Sequence, residues 1–195
     1  MEFYIQVPVL KALLLTAGKE DARIAINGIH VEYSKAGVLL VSTDGHRMSV
    51  VRCDYDGEPF DPFIINRLQV ESLKGKFYKP VKVTHENGVI TIGYITIGDI
   101  SLSPIDAAYP YWRCVIPSKL SGEPAYYNPV YYADLGKARH LLGLRNNFTG
   151  LEMNGESGAL DQITPDFFVV IMPIRRGKDF AKSRVPDWIS EGGQS

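Results

Sequence analysis

The sequence is poor in the residues that mark several large classes of protein. Its 195 residues include only two cysteines and four histidines. Cys53 and Cys114 form no Cys-x-x-Cys motif and are too few for a disulfide framework, so they indicate a reduced, cytoplasmic protein without a zinc site. The histidines fall in separate parts of the chain, and no nucleophile motif or phosphate-binding loop is present.

Long apolar runs and an excess of charge are also missing. The longest apolar runs are short, such as 167–172, so no segment is predicted to span a membrane. The first residues do not form a secretory signal. The net charge of −1 means that any basic surface must be local and offset elsewhere. Hydrophobic residues still make up 45% of the chain, which excludes wholesale disorder.

One pattern occurs three times along the chain: a short strand, an amphipathic helix and then further strands. Helices are predicted over 8–18, over 66–73 and from Asn128 onward. The predicted strands are 2–7, 23–33, 38–42, 46–53, 60–65, 81–84, 89–93, 95–102, 148–153, 158–163 and 167–174. Each unit is marginal alone, so two units are expected to close on each other. The third is then left unpaired, which predicts association with another chain.

Several local signals refine these elements. Asn27-Gly28 lies inside a predicted strand and favours a bulge, whereas Asn87-Gly88 predicts a type I′ hairpin turn. In the second helix the spacing places Leu68 and Leu73 inward. Asn128-Pro129 is typical of a helix start. The buried stripe of the third helix is expected to consist of Tyr131, Leu135, Ala138 and Leu142.

Three groups of residues could carry function, and each has a simpler interpretation. Asp44 and His46 could form an acid/base pair, although Asp44-Gly45 is also a hairpin signal. The aromatic, proline-bounded segment 109–117 is expected to be extended and is either a packed loop or one wall of a groove for a peptide. Basic helix faces are usually only solvated, but their recurrence in all three units favours a shared phosphate-facing surface.

These residues together resemble the bacterial DNA sliding clamp, the beta subunit of DNA polymerase III. The segments that carry the resemblance are 23–28 with 42–48, 109–117, 127–131 and 168–175. The resemblance covers about residues 1–176 and implies an α+β DNA-clamp fold with helices on one face of antiparallel sheets. Residues 1–120 would form a complete clamp domain like the clamp's middle domain, 121–176 the second half of its last domain, and 177–195 an additional mobile tail.

The resemblance also implies a pocket that binds short peptides of polymerases and the clamp loader. Matching its motifs to this sequence predicts a pocket made of Arg23, Ile26, Thr43, Gly45, His46, Arg47, Met48, Pro110, Val115, Val170, Met172, Pro173 and Ile174. Cys114 stands where the family often has a basic residue, which would alter the preference for acidic peptides. The tail would begin at the rim of this pocket.

In the family, helices line a central hole and face duplex DNA without reading its sequence. The resemblance, with the basic helix faces, implies that the DNA-facing residues are Lys11, Arg67, Lys74, Lys137 and Arg139. It implies a non-enzymatic processivity factor without cofactor or metal, assembled as a homo-oligomer, either a dimer or a ring of four chains. The alternatives are a peptide-binding decoy or regulator that does not encircle DNA, and an enzyme that uses Asp44 and His46.

Overall fold

The computed structural model describes residues 1–73, 80–94, 98–145 and 150–175 of the chain. Lys74 and the predicted tail, 177–195, lie outside the described residues. The strands are β1 (Glu2–Gln6), β2 (Gly28–Ser34), β3 (Gly37–Thr43), β4 (Arg47–Cys53), β5 (Phe63–Asn66), β6 (Pro80–Glu86), β7 (Val89–Tyr94), β8 (Gly98–Leu102), β9 (Ala159–Thr164) and β10 (Phe167–Ile171). The helices are α1 (Val7–Leu13), α2 (Arg67–Ser72) and α3 (Pro129–Leu141), with short 3₁₀ turns at Ile24–Ile26 and Trp112–Val115. No helix within the described ranges is long and apolar enough to cross a membrane.

The strands form two antiparallel sheets, and the predicted α+β class is confirmed. One sheet has the order β1-β6-β7-β8 and the other the order β5-β2-β3-β4-β10-β9. The first strand of each of the first two units pairs with the other unit, because β1 pairs with β6 and β5 pairs with β2. This exchange of strands joins the first two units into one body. Each unit alone is too small to bury much apolar surface, so joining them is expected to stabilise both.

The third unit has a partner within the chain. Strand β10 pairs with β4, with Phe167 opposite Val51 and Val170 opposite Met48, and α3 packs against α1. The expectation that this unit is left unpaired is therefore wrong. Without β10, the edge of β4 would expose unpaired backbone N–H and C=O groups. The pairing with β10 satisfies these groups and removes the exposed edge. Association with another chain stays a prediction.

Side chains alternate between the two faces of the six-stranded sheet, which gives the protein two apolar clusters. Val31, Leu40 and Val51 point toward the helices and the four-stranded sheet, in the main core. On the opposite side, here called the outer face, Val41, Met48, Val50 and Val170 pack with Trp112. The fold therefore buries the sheet on both faces, with helices covering one and a loop segment covering the other.

Some local predictions are confirmed and others are wrong. Asn87 and Gly88 have φ of 50° and 74°, as a type I′ turn requires, and Asn128 accepts a hydrogen bond from the Val130 N–H as a helix cap. The residues before Gly28 form a 3₁₀ turn rather than a bulged strand, because Asn27 hydrogen-bonds both backbone groups of Asp21. In the short helix α2, Leu68 is 69% exposed and the residue buried in its place is Val70.

The prediction that Arg139 faces DNA is wrong. Its guanidinium donates two hydrogen bonds of 2.7 Å to the carboxylate of Asp161 on β9, and both residues are buried. The helix stripe that contains Leu135 and Ala138 therefore extends to Arg139, and the charge is matched inside the protein. A bidentate pair of this kind holds the helix to the sheet in a single orientation.

Replacing Arg139 with alanine is expected to lower the free energy of unfolding by about 3–5 kcal/mol, because Asp161 is left buried without its partner. Urea denaturation followed by circular dichroism measures the change. His140→Ala, on the exposed side of the same turn, is the matched control and should change the free energy of unfolding by less than about 0.5 kcal/mol. Equal effects of the two substitutions would contradict the structural role given to Arg139.

Candidate functional site

A pocket of about 240 Å³ opens on the outer face of the six-stranded sheet. Three separate parts of the chain build it: the 3₁₀ turn at Ile24–Ile26 with the β3–β4 turn, the segment around the second 3₁₀ turn, and β10 with the residue after it. Its lining is Arg23, Ile26, Thr43, Gly45, Arg47, Met48, Pro110, Tyr111, Trp112, Cys114, Val115, Val170 and Met172. The pairing of β10 with β4 brings these parts together, since Val170 lies opposite Met48.

Ten of the thirteen residues predicted for this pocket line it, and three do not. The His46 ring stacks instead on Tyr131 of α3, with ring centroids 6.3 Å apart. Ile174 donates its N–H to the Tyr126 carbonyl, and its side chain is exposed. Pro173 lies between Met172 and Ile174 and is not among the lining residues.

The pocket also contains Tyr111, Trp112 and Cys114, which the motif match did not include. Residues Trp112–Val115 form a 3₁₀ turn, so the segment is not extended throughout as predicted. The turn brings side chains that are neighbours in sequence to the same cavity. The aromatic composition of 109–117 was the signal in the sequence that could have identified them.

The turn between β3 and β4 is held by its own side chains. Asp44 accepts hydrogen bonds from the backbone N–H groups of His46 and Arg47 and from Arg47 Nε, at 2.9, 3.1 and 2.9 Å. Thr43 donates its hydroxyl to the Arg47 carbonyl at 2.7 Å and accepts from the Gly45 N–H. These bonds engage both oxygens of Asp44, and the geometry favours the structural turn over an acid/base pair.

Arg23 forms the polar rim of the pocket. Its guanidinium donates two hydrogen bonds of 2.9 Å to Asp21, and the side-chain hydrogen bonding lowers the pKa of Asp21 to about 2. Gly45 has a φ of +89°, and a Cβ there would lie 3.0 Å from the Arg23 guanidinium. Glycine therefore allows both the left-handed turn and the close approach of Arg23.

Arg47 joins the pocket to the third unit. Besides its bond to Asp44, it donates to Asp134 of α3 at 2.5 Å and lies 4.3 Å above the Tyr131 ring. Burial raises the pKa of Asp134, but the hydrogen bonds from Lys137 and Arg47 outweigh it, and the pKa is lowered overall. Asp134 is therefore ionised at neutral pH and fixes the Arg47 guanidinium at the boundary of the pocket.

A second concave surface, here called the helix groove, lies among the three helices and has a volume of about 530 Å³. Its charged lining is Lys11, Lys19, Arg47, Arg67, Lys137, Asp44, Glu71 and Asp134. Three residues predicted to face DNA, Lys11, Arg67 and Lys137, therefore meet here. Arg67 also has a structural part, because it donates to the carbonyls of Leu14 and Ala17 at the end of α1. Within the described residues, no three histidine, cysteine, aspartate or glutamate side chains are placed to hold a metal ion.

Comparison with known proteins identifies the fold. Residues 7–71 match the family model for the central domain of the DNA polymerase III beta subunit. Among solved structures, the beta subunit of Borrelia burgdorferi superimposes with a TM-score of 0.66 at 15% identity, covering 91% of this chain and 65% of that one. The Thermotoga maritima beta subunit gives 0.66 at 13% identity, covering 91% and 66%. The Helicobacter pylori beta clamp bound to a DNA ligase peptide gives 0.67 at 13%, covering 90% and 66%.

The predicted resemblance to the bacterial sliding clamp is thus confirmed, and the fold is that of the clamp. The chain spans just under two thirds of the length of the clamps it matches. No curated protein is significantly similar to it in sequence.

The two cysteines are expected to differ sharply in reactivity. Burial raises the pKa of Cys53 to about 12, which leaves on the order of a thousandfold less thiolate than an ordinary cysteine has, whereas Cys114 is exposed at the pocket. Iodoacetamide should therefore modify the folded protein at Cys114 alone, as peptide mass spectrometry will show. Cys114→Ser is the control and should abolish the modification. Comparable labelling of Cys53 in the folded chain would contradict the packing described.

Proposed function

We propose that the chain is a sliding-clamp-like processivity factor, without catalytic activity of its own, that holds duplex DNA non-specifically and tethers replication proteins by short peptides. The observation that carries this proposal is the pocket, which three distant parts of the chain build within a clamp fold. A protein of the same fold, the Helicobacter pylori clamp, has been solved with a DNA ligase peptide bound. The partners proposed here are DNA polymerases and the clamp loader.

The chemistry of the pocket suits apolar peptide anchors. Its floor and walls include Ile26, Met48, Val170 and Met172, and Val115 lies at its edge. A leucine or phenylalanine that is fully buried there would contribute about 1.5–3 kcal/mol. Cys114 carries no positive charge, so the peptide preference rests on apolar anchors more than on acidic residues.

Val115→Asp is expected to weaken peptide binding about tenfold or more, because it replaces an apolar contact with a charge that must be desolvated. The measurement is fluorescence polarisation with a fluorescein-labelled hexapeptide that contains two leucines and one phenylalanine. Val130→Asp is the matched control, since Val130 is an exposed valine on α3 outside the pocket. If both variants bind the probe as the wild type does, the pocket is not the binding site.

The helix groove is the proposed contact with DNA. Lys11, Arg67 and Lys137 come from three different helices, and such a surface can follow phosphates without reading bases. Because acidic side chains share the groove, direct affinity would be modest, and enclosure by a ring would retain the protein on DNA. Clamp rings commonly contain six domains, so four chains of one and a half domains each would complete one. In this proposal, residues 1–120 are one complete clamp domain, 121–176 are half of another, and 177–195 are a tail.

A second candidate function is a decoy or regulator that binds peptides but does not encircle DNA. It is favoured by the contrast between the two surfaces. The pocket is complete within one chain, whereas Asp44, Glu71 and Asp134 offset much of the positive charge in the helix groove. Such a protein would compete with a complete clamp for the same peptides.

Binding to duplex DNA separates the two candidates. Lys11→Glu and Lys137→Glu are each expected to weaken binding of a short labelled duplex equally for two unrelated sequences, and to reduce the salt dependence, d log K/d log [salt], by about 1. Lys35→Glu, in the exposed β2–β3 turn, is the control and should have little effect. A wild-type chain that binds the peptide probe but no duplex even at low salt would favour the decoy.

A further inference from the structure

The segment 109–116, here called the wall segment, forms one side of the pocket and belongs to neither sheet. It lies across the outer face of the six-stranded sheet, where Trp112 packs with Val41, Met48 and Val170. A loop in this position has no ladder of backbone hydrogen bonds to hold it. Its orientation therefore depends on side-chain contacts, and those contacts decide how well the pocket is formed before a ligand arrives.

Glu32 of β2 makes a concentrated set of these contacts. Its carboxylate accepts hydrogen bonds from Trp112 Nε1 at 3.4 Å and from the guanidinium of Arg113. The Arg113 guanidinium in turn lies 4.2 Å above the Trp112 ring. The Glu32 side chain is only 16% exposed and does not line the pocket. One carboxylate thus bonds two consecutive residues of the wall segment from a position outside the pocket lining.

The beginning of the wall segment is held through the same carboxylate. Glu32 accepts a hydrogen bond of 2.9 Å from His30 Nε2, since a carboxylate can only accept. The His30 ring stacks on Tyr109 with centroids 4.5 Å apart and planes within 9° of each other. His30 and Glu32 are two positions apart on one strand and therefore point to the same face of the sheet. Rotation of either side chain would release a different part of the wall segment.

The charge of Glu32 makes this anchor strong. Burial raises its pKa, but hydrogen bonds from Arg113, His30 and Trp112 outweigh that effect, and its pKa is lowered overall. The carboxylate is ionised at neutral pH, and charge-assisted hydrogen bonds are about twice as strong as neutral ones. The wall segment is accordingly fixed to β2, a strand that pairs with β3 on one side, where Glu32 lies opposite Leu39, and with β5 on the other.

We propose that Glu32 is a positioning residue for the pocket: it preorganises the wall segment through Trp112 and Arg113, and thereby sets peptide affinity and selectivity without touching the peptide. The proposal rests on the proposed peptide-binding function. Its physical basis is that a wall already in its bound arrangement removes the cost of ordering the loop on association. Trp112 lines the pocket and is bonded directly to Glu32, and Val115 lines the pocket from the same 3₁₀ turn.

The central variant is Glu32→Gln, which keeps the shape of the side chain and removes its charge. It should weaken binding of the fluorescein-labelled hexapeptide about 2- to 30-fold, the range for residues that act on a site through their neighbours. Hydrogen–deuterium exchange in the ligand-free variant should rise in the wall segment and remain unchanged in β3 and β4. Glu86→Gln, an exposed glutamate at the end of β6, is the matched control and should change neither measurement.

A second variant keeps the test decisive if Glu32→Gln folds poorly. Arg113→Gln removes one donor from the half-exposed outer side of the network and should reproduce both effects in part. Combining Arg113→Gln with Glu32→Gln should produce less than the sum of the two effects, because both act on one network. Unchanged exchange in the wall segment with either folded variant would overturn the proposal. If the wild type fails to bind the probe, the proposed function fails, while the exchange measurement still decides the role of Glu32.

Discussion

The antiparallel pairing of β10 with β4 is the interaction on which the rest of the site depends. It joins the third unit to the first and extends a four-stranded array into a six-stranded sheet. Because the register is fixed, Val170 is placed opposite Met48 on the outer face, and Met172 donates its N–H to the His46 carbonyl. A shift of the register by one residue would exchange the two faces of β10 and remove Val170 from the pocket.

The same junction is reinforced by buried charge. Arg47 begins β4 and is bonded to Asp44 in its own turn and to Asp134 on α3, while Arg139 of the same helix is paired with Asp161 on β9. Such pairs add specificity of orientation more than net stability, since desolvation costs much of what the attraction supplies. They determine the orientation of α3 on the sheet. They also fix the position of Arg47, which lines both the helix groove and the pocket.

The six-stranded sheet separates two kinds of surface. Helices cover one face and present the mixed charges of the helix groove, whereas the other face carries the apolar pocket beneath the wall segment. Arg47 lines both concave surfaces, so the two lie on either side of one strand end. The sheet lies between the two surfaces, and Glu32 bonds the wall segment to it through Trp112 and Arg113.

The sequence by itself determined the repeated units, the Asn87-Gly88 turn and the cap at Asn128, because periodicity and turn residues act over short stretches of chain. The α+β class and the pocket residues came from motifs that resemble those of the sliding clamp. Ten of the residues that the motif match assigned to the pocket line one cavity, although they come from distant positions. Only the tertiary structure decided that the third unit pairs with β4, that Arg139 turns inward to Asp161, and that Leu68 is exposed. It likewise revealed Trp112 in the pocket and Glu32 behind it. These outcomes depend on which surfaces meet after the units pack. The residues next to a helix face or a single carboxylate in the sequence do not indicate which distant residue it will contact.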